Sequence, residues 1–196
     1  MGKIILIRHG ETSKNVKMAL HAFGDPEGLN DKGKKQITAA TKRIKKYEPT
    51  KIYFSKERRA MESAKIISTI LKIPAVETQG FEERNWGIYT GRSWEDVIKI
   101  LDPMTPEERF NFTPKGGESW KTFETRLIEA LKKVSDKNEI VAVVTHGGAI
   151  RALIPYLLGV PRSESFRYDP DNASITIFDF DGEGYHKVLL NDTSHI

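Results

Sequence analysis

Two short stretches, residues 3–7 (Lys-Ile-Ile-Leu-Ile) and 140–145 (Ile-Val-Ala-Val-Val-Thr), are apolar almost without interruption, and each runs into a His-Gly pair, His9-Gly10 and His146-Gly147. A strand with one face in water alternates apolar and polar residues, whereas a strand that does not alternate has to bury both faces. These two stretches therefore call for covering layers on both sides of one sheet. A chain of 196 residues is long enough to supply them around a single core.

The rest of the chain provides those layers. Helical periodicity runs over residues 31–46, 57–71, with Ala60, Ala64, Ile67 and Leu71 on one face, 119–134, with Trp120, Phe123, Leu127, Leu131 and Val134 as its stripe, and 148–158. Residues 51–55 read as a further strand, and 174–180 and 185–190 as a hairpin about the turn Asp181-Gly182-Glu183-Gly184. Strand–helix alternation of this kind predicts an α/β fold: a three-layer α/β/α sandwich whose central sheet is largely parallel, with an antiparallel hairpin at the edge. No repeat, linker or low-complexity run divides the chain, so residues 1–196 are read as one domain. Residues 81–117, irregular and rich in Pro, Gly and Trp, are read as a lid or pocket wall.

Composition narrows the function classes. There is no cysteine, hence no disulfide, thiolate nucleophile or thiolate metal site. No apolar run is long enough for a membrane span, and the strand-like start is too short for a secretory leader. A cytoplasmic protein is expected. The net charge of +4 is mild, and the lysines between Lys32 and Lys46 fit the wet face of an amphipathic helix better than a nucleic-acid surface, so no nucleic-acid partner is expected. No His-x-His or His-Glu-x-x-His spacing occurs, and no metal is expected. His21, His186 and His195 lack any motif context and read as surface or pocket-rim residues.

In an open α/β sheet, ligands bind beyond the carboxyl ends of the strands. If the strands ending before His9 and His146 are parallel neighbours, the two imidazoles meet at one rim. Arg8 and Arg59 reach the same point from the first strand and from the helix after residue 55; of Arg58 and Arg59, about 100° apart on a helix, only one can face it. Guanidinium forks match phosphate oxygens and stay charged, and a neutral imidazole can attack phosphorus. The constellation suits phosphoryl transfer.

These residues carry a resemblance to the histidine phosphatase superfamily, which includes the cofactor-dependent phosphoglycerate mutases. Arg8-His9-Gly10-Glu11-Thr12 with Asn15 is similar to its signature loop, and Leu29-Asn30-Asp31-Lys32-Gly33 with Gln36 to the segment that follows. Ser55 with Arg59-Ala60 and Ser63-Ala64 resembles its phosphate-binding arginine motif. Phe81-Glu82-Glu83 with Gly87 and Gly91 resembles its proton-donor motif, Gly116-Gly117-Glu118-Ser119 with Arg126 a segment of the phosphatase branch, and Thr145-His146-Gly147-Gly148-Ala149-Ile150-Arg151 its second histidine motif. The resemblance implies that His9 is phosphorylated, that Arg8, Arg59 and His146 hold the nonbridging oxygens with Asn15, Thr12 and the Gly147 N–H as helpers, and that Glu83 rather than Glu82 is the proton donor. It implies a small phosphorylated metabolite as substrate and no cofactor. His21, Phe23, Gly24 and Trp86 are expected around the substrate pocket, with Trp94, Phe110 and Phe112 as further candidates.

The stretch between Gly87 and Gly116 is short, and this favours the phosphatases, the α-ribazole and broad-specificity ones among them, over the mutases. A mutase primed by a bisphosphoglycerate and a non-catalytic phosphate-binding or regulatory module are the alternatives. The sequence departs from the family pattern at Glu57, where leucine is usual, at Thr90, where glutamate is usual, and at Gly28-Leu29-Asn30 in place of Pro-Leu-Thr. These departures are read as bearing on the subfamily and not on the catalytic residues.

Overall fold

In the computed structural model, which describes residues 1–21 and 24–196, the elements follow in the order β1 (Gly2–Arg8), α1 (Ser13–Val16), α2 (Asp31–Ile44), β2 (Lys51–Phe54), α3 (Arg58–Leu71), β3 (Ala75–Glu77), α4 (Trp94–Leu101), α5 (Pro106–Asn111), α6 (Trp120–Val134), β4 (Ile140–Thr145), α7 (Gly147–Leu158), β5 (Ile175–Phe180) and β6 (Tyr185–Asp192). The strands form one six-stranded sheet in the order β3-β2-β4-β1-β5-β6. β3, β2, β4 and β1 are mutually parallel, and β5 and β6 complete one edge antiparallel. This is the α/β sandwich that the apolar runs require.

Period-two geometry sorts the side chains of the central strands onto two faces. Ile4, Leu6, Val141 and Val143 face a layer built from α6 and α7, through Phe123, Leu127, Leu131, Ile150 and Leu153. Ile5, Ile7, Ala142 and Val144 face α2 and α3, through Ile37, Ala40, Ile44, Ala60, Ala64 and Ile67. All of these side chains are completely buried. Each buried aliphatic side chain contributes about 1.5–3 kcal/mol of hydrophobic free energy, so slipping β1 by one residue, which exchanges its faces, is strongly disfavoured.

The helices begin where short polar side chains can cap them. Asn30 accepts the Gly33 N–H at 2.7 Å to start α2, and Ser119 accepts the Thr122 N–H at 3.0 Å to start α6. Residues 81–117 are more ordered than their composition suggests. They hold α4 and α5, capped by Ser93 and by a Thr105–Glu108 capping box. A small cluster of Trp86, Val97 and Leu101, with Leu20, Tyr89, Trp94, Met104 and Phe112 around it, stabilises the segment. Leu20 exchanges backbone hydrogen bonds with Gly91 and Arg92, which joins the segment to the loop after α1. No helix among the described residues is long and apolar enough to cross a membrane.

Candidate active site

β1 and β4 are parallel neighbours in the register Arg8↔Thr145, and β2 lies on the other side of β4 in the register Phe54↔Val144. His9, Ser55 and His146 are the first residues beyond the three strands, all at one rim. Strands in a sheet are about 4.8 Å apart, so residues at equal height on adjacent strands must meet. The rings of His9 and His146 have centroids 5.2 Å apart. The loop after β1 is held by the His9 N–H on the Thr145 carbonyl at 2.9 Å and the Ala173 N–H on the His9 carbonyl at 3.1 Å. It also passes so close to α2 that a Cβ on Gly10 would lie 2.4 Å from the Gly33 carbonyl oxygen.

The environment of His9 selects one protonation state. Nδ1 lies 2.8 Å from the Gly10 carbonyl, which can only accept, so Nδ1 carries the proton. Nε2 then carries the lone pair, which accepts from Arg59 Nε at 3.2 Å. Burial, with Arg59, His146 and Arg8 adding to it, holds this imidazole well below the ordinary histidine value; the Gly10 hydrogen bond opposes it more weakly. At neutral pH His9 is therefore an uncharged imidazole with Nε2 available as a nucleophile.

Around it stand cationic donors with nothing to donate to. Arg8 Nε and Arg59 Nη1 and Nη2 are buried and have no hydrogen-bond partner among the described residues, and neither has His146 Nδ1, on a ring that burial and Arg59 hold below the ordinary histidine value. Burying such groups unpaired costs about 1–3 kcal/mol each, and a tetrahedral oxyanion would supply the acceptors. Arg8 is fixed by its Nη1 on the Pro170 carbonyl at 2.6 Å, and Arg59 is completely buried. Burial pulls both below the usual arginine value, and a guanidinium stays charged regardless. Its neighbour Arg58 is turned outward, paired with Glu62 at 2.7 Å.

Glu83 faces the same cavity. Its two oxygens accept the Arg84 N–H at 2.8 Å and the Gly148 N–H at 3.0 Å, the latter from the first turn of α7. The loop that carries it is clamped from behind by Arg126, which donates to the carbonyls of Gly80, Glu82 and Glu83 at 2.9–3.0 Å and pairs with Glu118 at 2.7 Å. Glu82 turns away to accept the Gly80 N–H at 2.7 Å.

The cavity, about 480 Å³, is lined by Arg8, His9, Asn15, His21, Arg59, Glu83, Trp86, Trp94 and Gly147 among the residues expected there; His146 is not in the lining but completely buried beside His9. His21 sits edge-on to His9 with centroids 5.9 Å apart, and burial, followed by Arg59, pushes it down to about 3. Four expectations are corrected. Thr12 is not part of the lining: it caps α1, where Asn15 joins it in a capping box, and its hydroxyl meets His21 Nε2 at 2.9 Å. Gly24 is exposed and in the left-handed region, with φ +73°, and serves a turn away from the cavity. Phe23 lies outside the described residues. Phe110 joins the main core and Phe112 the small cluster, so neither lines the cavity. His186 pairs with Asp181 at the surface, and His195 meets the Ala173 carbonyl at 3.0 Å.

Sequence reasoning passed over several lining residues: Arg84, Trp120, Asp169, Asp171 and Asn172. Arg84 is buried against the Trp86 ring, 4.1 Å from its centroid, and burial takes it down to about 10. Its position next to Glu83 was the available signal; Trp120, at the start of α6, was read only as part of that helix's stripe, and Asp169, Asp171 and Asn172 come from a loop without a pattern. Glu57 was read as bearing only on the subfamily. It is buried behind the site with Oε2 3.1 Å from His146 Nε2.

The chain is 30% identical over 203 residues to the metal-independent phosphoserine phosphatase of Arabidopsis thaliana, covering 99% of this chain and 83% of that protein. It is 31% identical over 177 residues to the 2,3-bisphosphoglycerate-dependent phosphoglycerate mutase of Thermoplasma acidophilum, covering 89% and 86%. Among solved structures, Bacillus stearothermophilus YhfR superposes with a TM-score of 0.87 at 27% identity, over 100% of this chain and 99% of that one. The family model for the histidine phosphatase superfamily (branch 1) matches residues 4–193, so the chain belongs to that superfamily.

Proposed function

We propose that this protein hydrolyses phosphomonoesters of small metabolites through a phosphohistidine on His9. The observation that carries the reading is the uncharged His9, its Nε2 lone pair set beside three buried guanidinium nitrogens of Arg8 and Arg59 that lack partners. In the first step Nε2 bonds to phosphorus and the bond from phosphorus to the ester oxygen breaks. Glu83 supplies the proton that the leaving oxygen takes. Arg8, Arg59 and His146 hold the nonbridging oxygens, where charge accumulates in the transition state. In the second step water attacks phosphorus, Glu83 takes its proton, and inorganic phosphate leaves with His9 restored.

The cavity volume is that of a small-molecule site. Residues 81–117 form its outer wall through Trp86 and Trp94, and we assign them the part of substrate selection. The relatives named as a phosphatase and as a mutase are equally similar, so identity does not choose between hydrolysis and isomerisation. The wall does favour one. Mutases hold a substrate carboxylate with extra basic residues in this segment; here Arg84 lines the cavity, but Arg92, Lys99, Arg109 and Lys115 do not. Lys99 pairs with Glu95, and Arg109 is bound to Asp102 and the Met104 carbonyl.

The test is phosphate release from a panel of phosphomonoesters, run beside 3-phosphoglycerate isomerisation with and without a bisphosphoglycerate, on wild type and His9→Ala. Release that is lost in His9→Ala is expected. Isomerisation without release would make the chain a mutase.

A further inference from the structure

Glu57 occupies a position where the family pattern has leucine, yet it is buried, and its carboxylate meets the ring of the second histidine. Three groups share the contact. His146 Nε2 lies 2.9 Å from Ser55 Oγ and 3.1 Å from Glu57 Oε2, and the Ser55 hydroxyl donates to the same carboxylate oxygen. Burial acts upward on Glu57, but the hydrogen bonds and charge of His146, the Ser55 hydrogen bond and the charge of Arg59 together bring it down to about 2, so it is a carboxylate at neutral pH.

Counting protons then fixes the ring. Ser55 has a single hydroxyl proton, and Glu57 takes it. Towards Nε2 both Ser55 and Glu57 therefore present lone pairs, and Nε2 must carry a proton. The other nitrogen, Nδ1, is buried and without a partner among the described residues. In a neutral ring protonated at Nε2, Nδ1 is a bare lone pair, which would repel a phosphoryl oxygen. It can serve an oxyanion only if it is protonated as well. With leucine at this position the Ser55 hydroxyl would be free to donate to Nε2, and a neutral ring protonated at Nδ1 would suffice.

We infer that Glu57 is a positioning residue that makes His146 a doubly protonated imidazolium when an oxyanion occupies the site, with Nε2–H held by Ser55 and Glu57 and Nδ1–H donated to the anion. The inference rests on the reading of this cavity as a phosphate site. Other groups also act on the ring. Arg59 from α3 and His9 from the end of β1 face it, and Glu83 acts on it from the loop before α4. Burial and then Arg59 push His146 below the ordinary histidine value, while Glu57 and Glu83 push it back up. A bound dianion acts in the same sense as the two carboxylates.

Tungstate is a suitable probe, being a tetrahedral dianion at neutral pH that transfers no phosphoryl group. Protein labelled with ¹⁵N-histidine would be titrated with it, and the His146 ring signals assigned by their loss in His146→Asn. In wild type, both His146 nitrogens are expected to be protonated in the complex, and tungstate affinity to fall about tenfold per pH unit above the value at which Nδ1 loses its proton, the slope for one linked proton. In Glu57→Leu a single protonated nitrogen and a flat profile over the same range are expected. Glu57→Gln, which keeps the shape and removes the charge, should follow Glu57→Leu, and thermal unfolding of both verifies that they fold. A neutral ring in the wild-type complex, or profiles that do not differ between wild type and the variants, would overturn the inference and leave the phosphate site standing. Failure of wild type to bind tungstate at all would overturn the phosphate-site reading and this inference with it.

Discussion

Gly148 separates activity from stability in a single substitution. It is the second residue of α7, and its N–H holds Glu83 Oε2 at 3.0 Å. A Cβ built on it would lie 2.3 Å from Glu83 Oε1 and 3.0 Å from Cδ, against an ordinary contact beginning near 3.4 Å. In Gly148→Ala the carboxylate therefore has to retreat by about 1 Å, and a displacement of that size near the chemistry costs about 10²-fold in rate, or about 2.7 kcal/mol in the barrier. The atom that must yield is the end of a flexible side chain, and alanine is the better helix former by up to about 1 kcal/mol. Stability should thus stay within about 1 kcal/mol of wild type. The assay is the burst of leaving group as the phosphoenzyme forms, measured with an alkyl ester, whose leaving oxygen needs a proton, and with p-nitrophenyl phosphate, whose leaving group does not. A loss of about 100-fold with the alkyl ester and of only a few-fold with the nitrophenyl ester is expected. Equal losses on both would show that Glu83 does not protonate the leaving oxygen, and no loss on either would refute the steric argument.

The pH dependence of stability has a definite sign. His21 falls from the ordinary 6.5 to about 3 in the folded protein, so below about 6.5 the unfolded chain binds a proton that the native state refuses. Stability is complete above that value and declines by about 1.4 kcal/mol per pH unit from this residue as pH falls towards 3, with His9 and His146 acting in the same direction. Urea unfolding between about pH 7 and pH 5 should show a shallower slope in His21→Gln by that amount, and an unchanged slope would mean that His21 is not shielded from water. Arg59→Lys keeps the charge but loses the fork of Nη donors, and tungstate affinity measured by calorimetry should drop by about 10- to 100-fold. EDTA should leave turnover intact; loss restored by zinc would mean that a metal, and not His9, supplies the chemistry.

Much of this was legible because it depends on patterns that only one environment satisfies. Unbroken apolar runs at β1 and β4 demanded burial on both faces, and the His-Gly steps at their ends located the rim before any contact was known. The edge strand β3 was missed because its three residues are exposed and too few to show a period. α4 and α5 were missed for a related reason. α4 packs Val97 and Leu101 into a small cluster apart from the main core, α5 has Phe110 as its buried residue, and their capping residues Ser93 and Thr105 sit within a stretch whose Pro and Gly suggested loop. Thr12 was misplaced because a motif assigns a residue to a neighbourhood but not a direction to its side chain, and Gly24 because no motif located it. Glu57 was undervalued for the opposite reason, since a departure from a pattern says nothing about which atom will face it. Only the tertiary register of β2 against β4 brings its carboxylate to His146.

The central claim is that phosphate passes through Nε2 of His9. Rapid acid-free quenching of the enzyme with a ³²P-labelled phosphomonoester, followed by mapping of the base-stable, acid-labile label, tests it directly. The account predicts label on His9 alone, attached at Nε2 because Nδ1 is committed to the Gly10 carbonyl at 2.8 Å, and no label in His9→Ala. Hydrolysis that proceeds without a labelled enzyme, or label found on Nδ1 or on another residue, would contradict it.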